Sequence, residues 1–425
     1  MLAMPTNART RQVSWWGGFG AANGDAALYG FSAIFALVLG WTSNQPAQWQ
    51  WGYLSVGTYA VAGVIAFWLA RVKLARPQRA RVGLLALVII GSVAIPLGLE
   101  TRWRQLDHGV GYAQPEVSVI ERSGQYLIKG QDPYHAYVSH GHLINEIPGL
   151  PAYESFFPYF PLMGVFGLPS AETHQGRGLT DARILMSLMT LLVGLSALAM
   201  LRASTGKKIR VAQVLLALPT GALFLATGGD DMPILALMLL GTVALQRRRS
   251  NLAGISLGLA AAMKLTAWPL AIGALLVARD QRERRTWLRV ALWILAIVLV
   301  TVVPFVVHSP WAFMSNVFAF PLGLAGVASP AASPLPGHVL TMMWAPLGHV
   351  LAPLTFLVGG YFGAKYLRRH WPLNLTQLLG MLSVAFATMI CVASATRIGY
   401  VIYPINLALW SLVTREAPSL EPQPV

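Results

Sequence analysis

Long apolar runs recur from one end of this chain to the other, separated by short clusters of arginine and lysine. Runs near spanning length lie at about residues 27–42, 52–71, 82–99, 183–201, 211–227, 232–246, 287–307, 347–365, 375–393 and 399–414. A helix needs about 20 mostly apolar residues to cross a bilayer, and continuous apolar runs of this length favour helices over strands. The pattern predicts an all-α, polytopic membrane protein, with residues 1–425 forming a single integral membrane domain.

The basic clusters give the orientation. Arg9 and Arg11 precede the first run, and Arg71, Lys73, Arg76, Arg79 and Arg81 follow the second. Arg202 to Arg210, Arg247 to Arg249, Arg279 to Arg289, Lys365 to Arg369 and finally Arg415 continue the series. If the spans alternate, these clusters share one face, and the positive-inside rule makes that face cytoplasmic, with both termini on it. The stretch 251–278 carries basic residues at both ends, so a single crossing breaks the alternation. Two short helices turning near "AMKLTAWP" restore it. Twelve helical residues climb only roughly 18 Å, which sets Lys264 at the tip of a re-entrant hairpin. About twelve helices result.

Most acids sort to the opposite face, among them Glu100, Asp107, Glu116, Glu121, Asp132, Glu146, Glu154, Glu172, Asp181, Asp230 and Asp231. Residues 100–182 therefore read as a first extracytoplasmic loop and 308–337 as a second. The composition agrees. With 55% hydrophobic and 11% charged residues and a mean hydropathy of +0.56, a soluble globular domain is excluded. The net charge of +15 follows from the topology rule and does not point to nucleic acid. The lone Cys391 leaves no disulfide framework and no CxxC metal site. No signal peptide with a cleavage site precedes the first run, which is expected to stay as an anchor.

The first loop contains helix punctuation. Pro115 suits a first helical position, and Gly130 before Asp132-Pro133 suits a stop. Between them Val117, Ile120, Gly124, Leu127 and Ile128 share a face, while Ser118, Glu121, Arg122, Gln125 and Lys129 lie on others. This predicts an amphipathic helix on the outer membrane surface. Glu116 stands in its first turn, where the helix dipole favours negative charge. "FFPYFPLMGVFGLP" at 156–169 is apolar, broken by three prolines and too short to span. It reads either as a re-entrant packing segment or as a wall of a lipid or sugar site lined by Tyr159 and Phe160.

These residues resemble glycosyltransferases of the GT-C type that use polyprenyl-phosphate sugars, and in particular glycosyltransferase family 87, with its actinobacterial mannosyltransferases and arabinofuranosyltransferases. The resemblance rests on an acid at the head of the first outer loop, a surface helix, then Gly130 and Tyr134, followed by "FPYFPLMGVFGLP". It continues through "GGDDMPILALMLLGTVALQRRRSNLAGISLGLAAAMKLTAWP" and "RIGYVIYP". It covers roughly residues 100–410. The family acid is usually Asp, and here it is Glu116, one methylene longer.

The resemblance implies a GT-C helical bundle and inverting transfer of a sugar to an acceptor hydroxyl. Mannose is the first expectation for the sugar and arabinofuranose the second. The implied partners are a polyprenyl-phosphate sugar donor, a cell-envelope glycan or glycolipid acceptor, and membrane lipids. A carboxylate near the hydroxyl can act as general base, and Glu116 is the candidate; its other reading is a helix-start acid. Because the leaving lipid phosphate carries its charge well, no metal or other cofactor is required. Lys264 and Arg397 are candidates to hold that phosphate, since charge at membrane depth is costly and usually functional; Arg397 reads equally as an interfacial anchor. Asp230 and Asp231 in "GGDDMP" are helix-start acids or sugar-orienting groups. Tyr134, Tyr159, His338 and Tyr400 complete the expected substrate-binding set. The spacing of His135, His140, His142 and Glu146 does not make a convincing metal site. A lipid transporter or flippase is the competing reading, although the halves show no obvious inverted repeat; a non-catalytic scaffold leaves the sorting of the acids unexplained.

Overall fold

The computed structural model describes residues 19–72, 74–107, 111–172, 178–280, 284–328 and 330–415. Arg9, Arg11, Lys73 and Arg282, used above for orientation, lie outside the described residues. Helices α1 (Phe19–Thr42) and α2 (Pro46–Leu69) form a tight hairpin. A Cβ on Gly52 would stand 2.5 Å from the Ala36 carbonyl oxygen, so only glycine permits this approach. Helix α3 (Pro77–Leu106) follows, with a π turn at Ile90–Ala94. Then come α4 (Pro115–Ile128), a small hairpin of β1 (Tyr137–Ser139) and β2 (His142–Ile144), and a short helical segment at Pro161–Ala171.

Helix α5 (Ala182–Met200) leads into α6 (Thr205–Thr227), α7 (Asp231–Gln246), α8 (Ser250–Ala261), α9 (Trp268–Asp280) and α10 (Arg284–His308). The chain closes with α11 (Pro336–Met343), α12 (Leu347–Arg369), α13 (Leu375–Val392) and α14 (Ile402–Val413). Among the described residues, eight helices are long and apolar enough to cross a membrane. The protein is an all-α, multi-pass membrane protein. Large apolar side chains such as Phe31, Val64, Val300, Val307 and Leu357 point outward, as a lipid-facing surface requires.

Helix α7 is the axis of the bundle, buried along almost its whole length although too short to be counted among the eight. Helices α8 and α9, of 12 and 13 residues, form the expected pair of short helices, joined at residues 262–267. The 156–169 segment meets the tip of this pair. Phe160 donates its backbone N–H to the Met263 carbonyl at 2.9 Å, and Leu162 donates to Ala262 at 3.2 Å. Phe160 stacks on Trp268.

Helix α4 starts at Pro115 and stops before Gly130, whose φ is +66°. It is more deeply enclosed than its amphipathic pattern suggests. Gly124 and Gly167 bring two backbones together so closely that a Cβ on Gly167 would stand 2.1 Å from the Ile120 carbonyl oxygen. Glu121, on the face that reads as polar, is buried against Arg104 at 2.8 Å rather than facing water. The reason lies in partners far along the chain. Arg104 also binds Asp181 at 2.8 Å, and the fully buried Arg183 binds Asp181 at 2.9 Å and Glu100 at 3.2 Å. This five-residue charge network ties α3, α4 and the start of α5 together. At the other end of the bundle Asp25 takes Arg81 at 2.5 Å and Arg210 at 3.1 Å, so both arginines are drawn from their basic clusters into helix ends.

In the 308–337 segment the buried Asn316 donates to the Ala136 and Ala312 carbonyls at 2.6 and 2.7 Å and accepts from the Phe157 N–H at 2.6 Å. Residues 331–333 run alongside Thr396, with Thr396 donating to Ala331 at 2.8 Å and Ser333 to Thr396 at 3.0 Å. These bonds cover the segment that carries Arg397.

Candidate active site

Two acid-bearing turns face each other. The first is the start of α4. The second is "GGDD", where α6 ends at Gly228 with φ +101° and α7 begins after Asp230. Gln114, the residue before α4, donates its backbone N–H to the Thr227 carbonyl at 2.9 Å and its side-chain amide to Thr227 Oγ1 at 2.7 Å. A Cβ at Gly228 would lie 2.2 Å from Val117 Cγ2. The left-handed turn and the contact with α4 thus both require glycine.

Lys264, at the turn between α8 and α9, reaches into the gap. Its Nζ lies 2.5 Å from Asp230 Oδ2 and 2.6 Å from Asp231 Oδ1, with the rings of Tyr159 and Tyr400 each 5.5 Å away. Tyr403 donates its hydroxyl to Asp231 Oδ1 at 2.5 Å and meets Thr266 Oγ1 at 2.7 Å. Arg397 enters just ahead of α14 and pairs through Nη1 with Glu116 Oε1. Glu116 Oε2 is buried without a partner. Leaving a buried acceptor unsatisfied costs about 1–3 kcal/mol, so this oxygen calls for an explanation.

Gln114, Glu116, Tyr159, Asp230, Asp231, Lys264, Arg397 and Tyr400 line one cavity, together with Tyr153, Glu154 and the prolines at 158, 321 and 330, while Tyr403 holds Asp231 from outside that lining. Glu116, Tyr159, Asp230, Asp231, Lys264, Arg397 and Tyr400 are therefore brought together as expected. Tyr134 and His338 stand elsewhere. Tyr134 is buried among Phe157, Phe305 and Phe313, and its hydroxyl donates to the Tyr159 carbonyl at 2.7 Å, so it supports the cavity wall from behind. His338 Nδ1 lies 2.8 Å from the Ser394 carbonyl and joins α11 to the segment before Arg397. Glu154 and Tyr403 were not among the expected site residues. Tyr403 follows Tyr400 by three residues, one helical turn, which is a signal the sequence carries. Glu154 has no such local signal.

The electrostatics divide the two cations. Lys264 has two of its three N–H donors engaged with carboxylates, so its charge is already balanced within the protein. Arg397 has five donors in a planar fork and is a third exposed, with a side-chain relative accessibility of 32%. Burial works to lower its pKa, but the Glu116 carboxylate, together with Tyr400 and Tyr159, outweighs that and the net direction is upward. The Glu154 carboxyl is held above the usual range, first by burial and then by the charge of Glu116, with Arg122 acting in the other direction.

The model of glycosyltransferase family 87 matches residues 157–395, a span that contains Tyr159, Asp230, Asp231, Lys264 and His338 and leaves Glu116 and Arg397 outside. No curated protein matches this chain. Among solved structures, the crystal structure of ArnT from Cupriavidus metallidurans in the apo state is similar at 18% identity and a TM-score of 0.44, covering 80% of this chain and 61% of that one. The same protein bound to undecaprenyl phosphate aligns at 18% identity and a TM-score of 0.43, covering 80% and 60%. The chain thus spans about three fifths of the length of that neighbour. The family match extends over more than half of the sequence, across the hairpin and the acid-bearing turn that build the cavity: this chain is a member of glycosyltransferase family 87.

Proposed function

We propose that the protein transfers a sugar from a polyprenyl-phosphate donor to a hydroxyl of a cell-envelope glycan or glycolipid, on the extracytoplasmic face of the cell membrane. Mannose is the proposed sugar, in line with the family resemblance, with arabinofuranose as the alternative. Membership of family 87 supports a lipid-phosphate donor. The observation that carries the reading is Glu116, a residue of the cavity lining that is anchored by one carboxylate oxygen while the other is buried without a partner.

In the proposed step the acceptor hydroxyl oxygen attacks the anomeric carbon from the face opposite the phosphate. The carbon–oxygen bond to phosphate breaks, and its electron pair leaves with the polyprenyl phosphate. The hydroxyl proton passes to Glu116 Oε2. Arg397 meets the departing phosphate with the donors that Glu116 leaves free, a charge-assisted contact that strengthens as the phosphate gains charge. Asp230 and Asp231, held by Lys264, line the cavity floor where a donor sugar's hydroxyls need acceptors.

Glu116→Gln tests this directly. Single-turnover transfer from a radiolabelled polyprenyl-phosphate sugar by the purified protein is expected to fall by about 10²–10⁴-fold, with donor binding and thermal melt retained. Near-normal transfer would eliminate Glu116 as the base.

A further inference from the structure

Behind the first turns of α4 lies a second, smaller cavity. Arg122, Tyr126, His135 and Asn145 line it, and it shares Val119, Glu154 and Phe156 with the first. Several of its polar groups retain bonding capacity. Arg122 donates Nη2 to the Glu154 carbonyl at 2.5 Å, but its Nη1 stands 3.9 Å from the Glu154 carboxylate, too far for a hydrogen bond. Among the described residues, nothing donates a hydrogen bond to that carboxylate. The His135 ring stacks edge-on against Tyr126 with centroids 4.4 Å apart, and its Nε2 is buried without a partner.

A carboxylate, an imidazole and a guanidinium edge beside aromatic rings suit a ligand rich in hydroxyls. Each hydroxyl both donates and accepts, so neighbouring sugar hydroxyls can satisfy Glu154 and His135 together. An anionic group would be repelled by Glu154, and an alkyl chain would leave every one of these atoms unsatisfied. Resting on the transfer reaction proposed above, we propose that this second cavity, of about 30 Å³, is the polar edge of the acceptor subsite: it takes a hydroxyl of a neutral sugar unit whose ring sits in the first cavity, beside the reacting hydroxyl, and Glu154 is the positioning residue that aims the acceptor at Glu116. The wall common to the two cavities fits this role, because a group bound there touches the acceptor without touching the lipid phosphate near Arg397.

The test uses the full-length protein in detergent, a radiolabelled polyprenyl-phosphate mannose donor, and octyl glycosides of neutral sugars as acceptor probes. Release of the donor sugar to water is measured alongside transfer. Glu154→Gln is expected to raise KM for the octyl glycoside by about 10-fold or more, the loss of a hydrogen bond to a charged group, and to lower transfer to the glycoside more than release of the donor sugar to water. His135→Phe keeps the ring packed on Tyr126 and removes Nε2; it is expected to raise KM by about 2–10-fold, as for a neutral hydrogen bond. A purely structural role for Glu154 would lower transfer and release together. That result, an unchanged KM in Glu154→Gln, or a wild type that releases sugar to water but transfers to no neutral glycoside would each overturn the subsite. A wild type that releases no sugar from the donor refutes the transfer reaction itself, and the subsite falls with it.

Discussion

Lys264 was expected to hold phosphate, yet its ammonium is bound to Asp230 and Asp231 at 2.5 and 2.6 Å, which changes what its removal should do. Lys264→Met fills similar space but leaves two carboxylates at a site where all three side chains are at most 12% exposed. Breaking a buried ion pair by removing one partner typically costs about 3–5 kcal/mol, because the remaining charge is uncompensated. Here one cation serves two acids, so the upper part of that range is expected. The loss falls on the tip of the α8–α9 pair, and the Phe160 and Leu162 backbone bonds to Ala262 and Met263 are expected to loosen with it.

Removing the whole cluster is the control. The triple change Lys264→Met, Asp230→Asn and Asp231→Asn deletes the acids together with their counter-ion, and replacing complete buried ionic clusters is often neutral or stabilising. Thermal melts in detergent, with and without a polyprenyl phosphate, measure both variants. The single variant is expected to melt well below the wild type, and the triple to recover most of the loss while remaining inactive. A single variant that melts like the wild type but no longer gains stability from the lipid phosphate would refute this reasoning and return Lys264 to the phosphate.

Three further outcomes follow from the same geometry. Arg183→Met should cost about 3–5 kcal/mol, read as a lowered melting temperature, since it strips Glu100 and part of Asp181 of their counter-charge; an unchanged melt would mean these acids fold protonated. Gly228→Ala should reduce both stability and transfer, because it strains the left-handed turn and drives a Cβ toward Val117, separating the two acid-bearing turns; normal transfer would show that their spacing is not critical. Glu154, with its pKa raised in the folded state, holds a proton there that the unfolded chain has lost. Stability should therefore decline as pH rises from the ordinary carboxylate range through the folded value, and this part of the pH profile should vanish in Glu154→Gln; an identical profile in the variant would assign the dependence to another group.

The spans were legible because membrane burial writes itself as long apolar runs, and the α8–α9 pair because basic residues at both of its ends leave no room for a single crossing. The limits of α4 were equally readable, since Pro115 and Gly130 each do something at a helix end that other residues do poorly. Its surroundings were not. A helical wheel places Glu121 on a polar face, but whether that face meets water or Arg104 depends on Asp181 and Arg183, some sixty residues on. The Gly124–Gly167 crossing is likewise a backbone contact between segments that share no local pattern.

The same division runs through the candidate site. Charged residues at membrane depth are rare enough that Lys264, Arg397, Asp230 and Asp231 stood out singly. Pairing is a different kind of information. Sequence reasoning gave Lys264 and Arg397 one shared task, whereas in three dimensions one is matched to two acids and the other to a single glutamate with donors to spare. Glu154 was one acid among many in the 100–182 loop. Its significance arises only because the chain returns it to the wall of the Glu116 cavity through the turn that Asn316, from a segment more than 150 residues away, holds in place at Phe157. The Glu116 side chain reaches from the first turn of α4 to Arg397 with one carboxylate oxygen and leaves Oε2 buried without a partner. A carboxylate one methylene shorter must give up either its anchor or its reach.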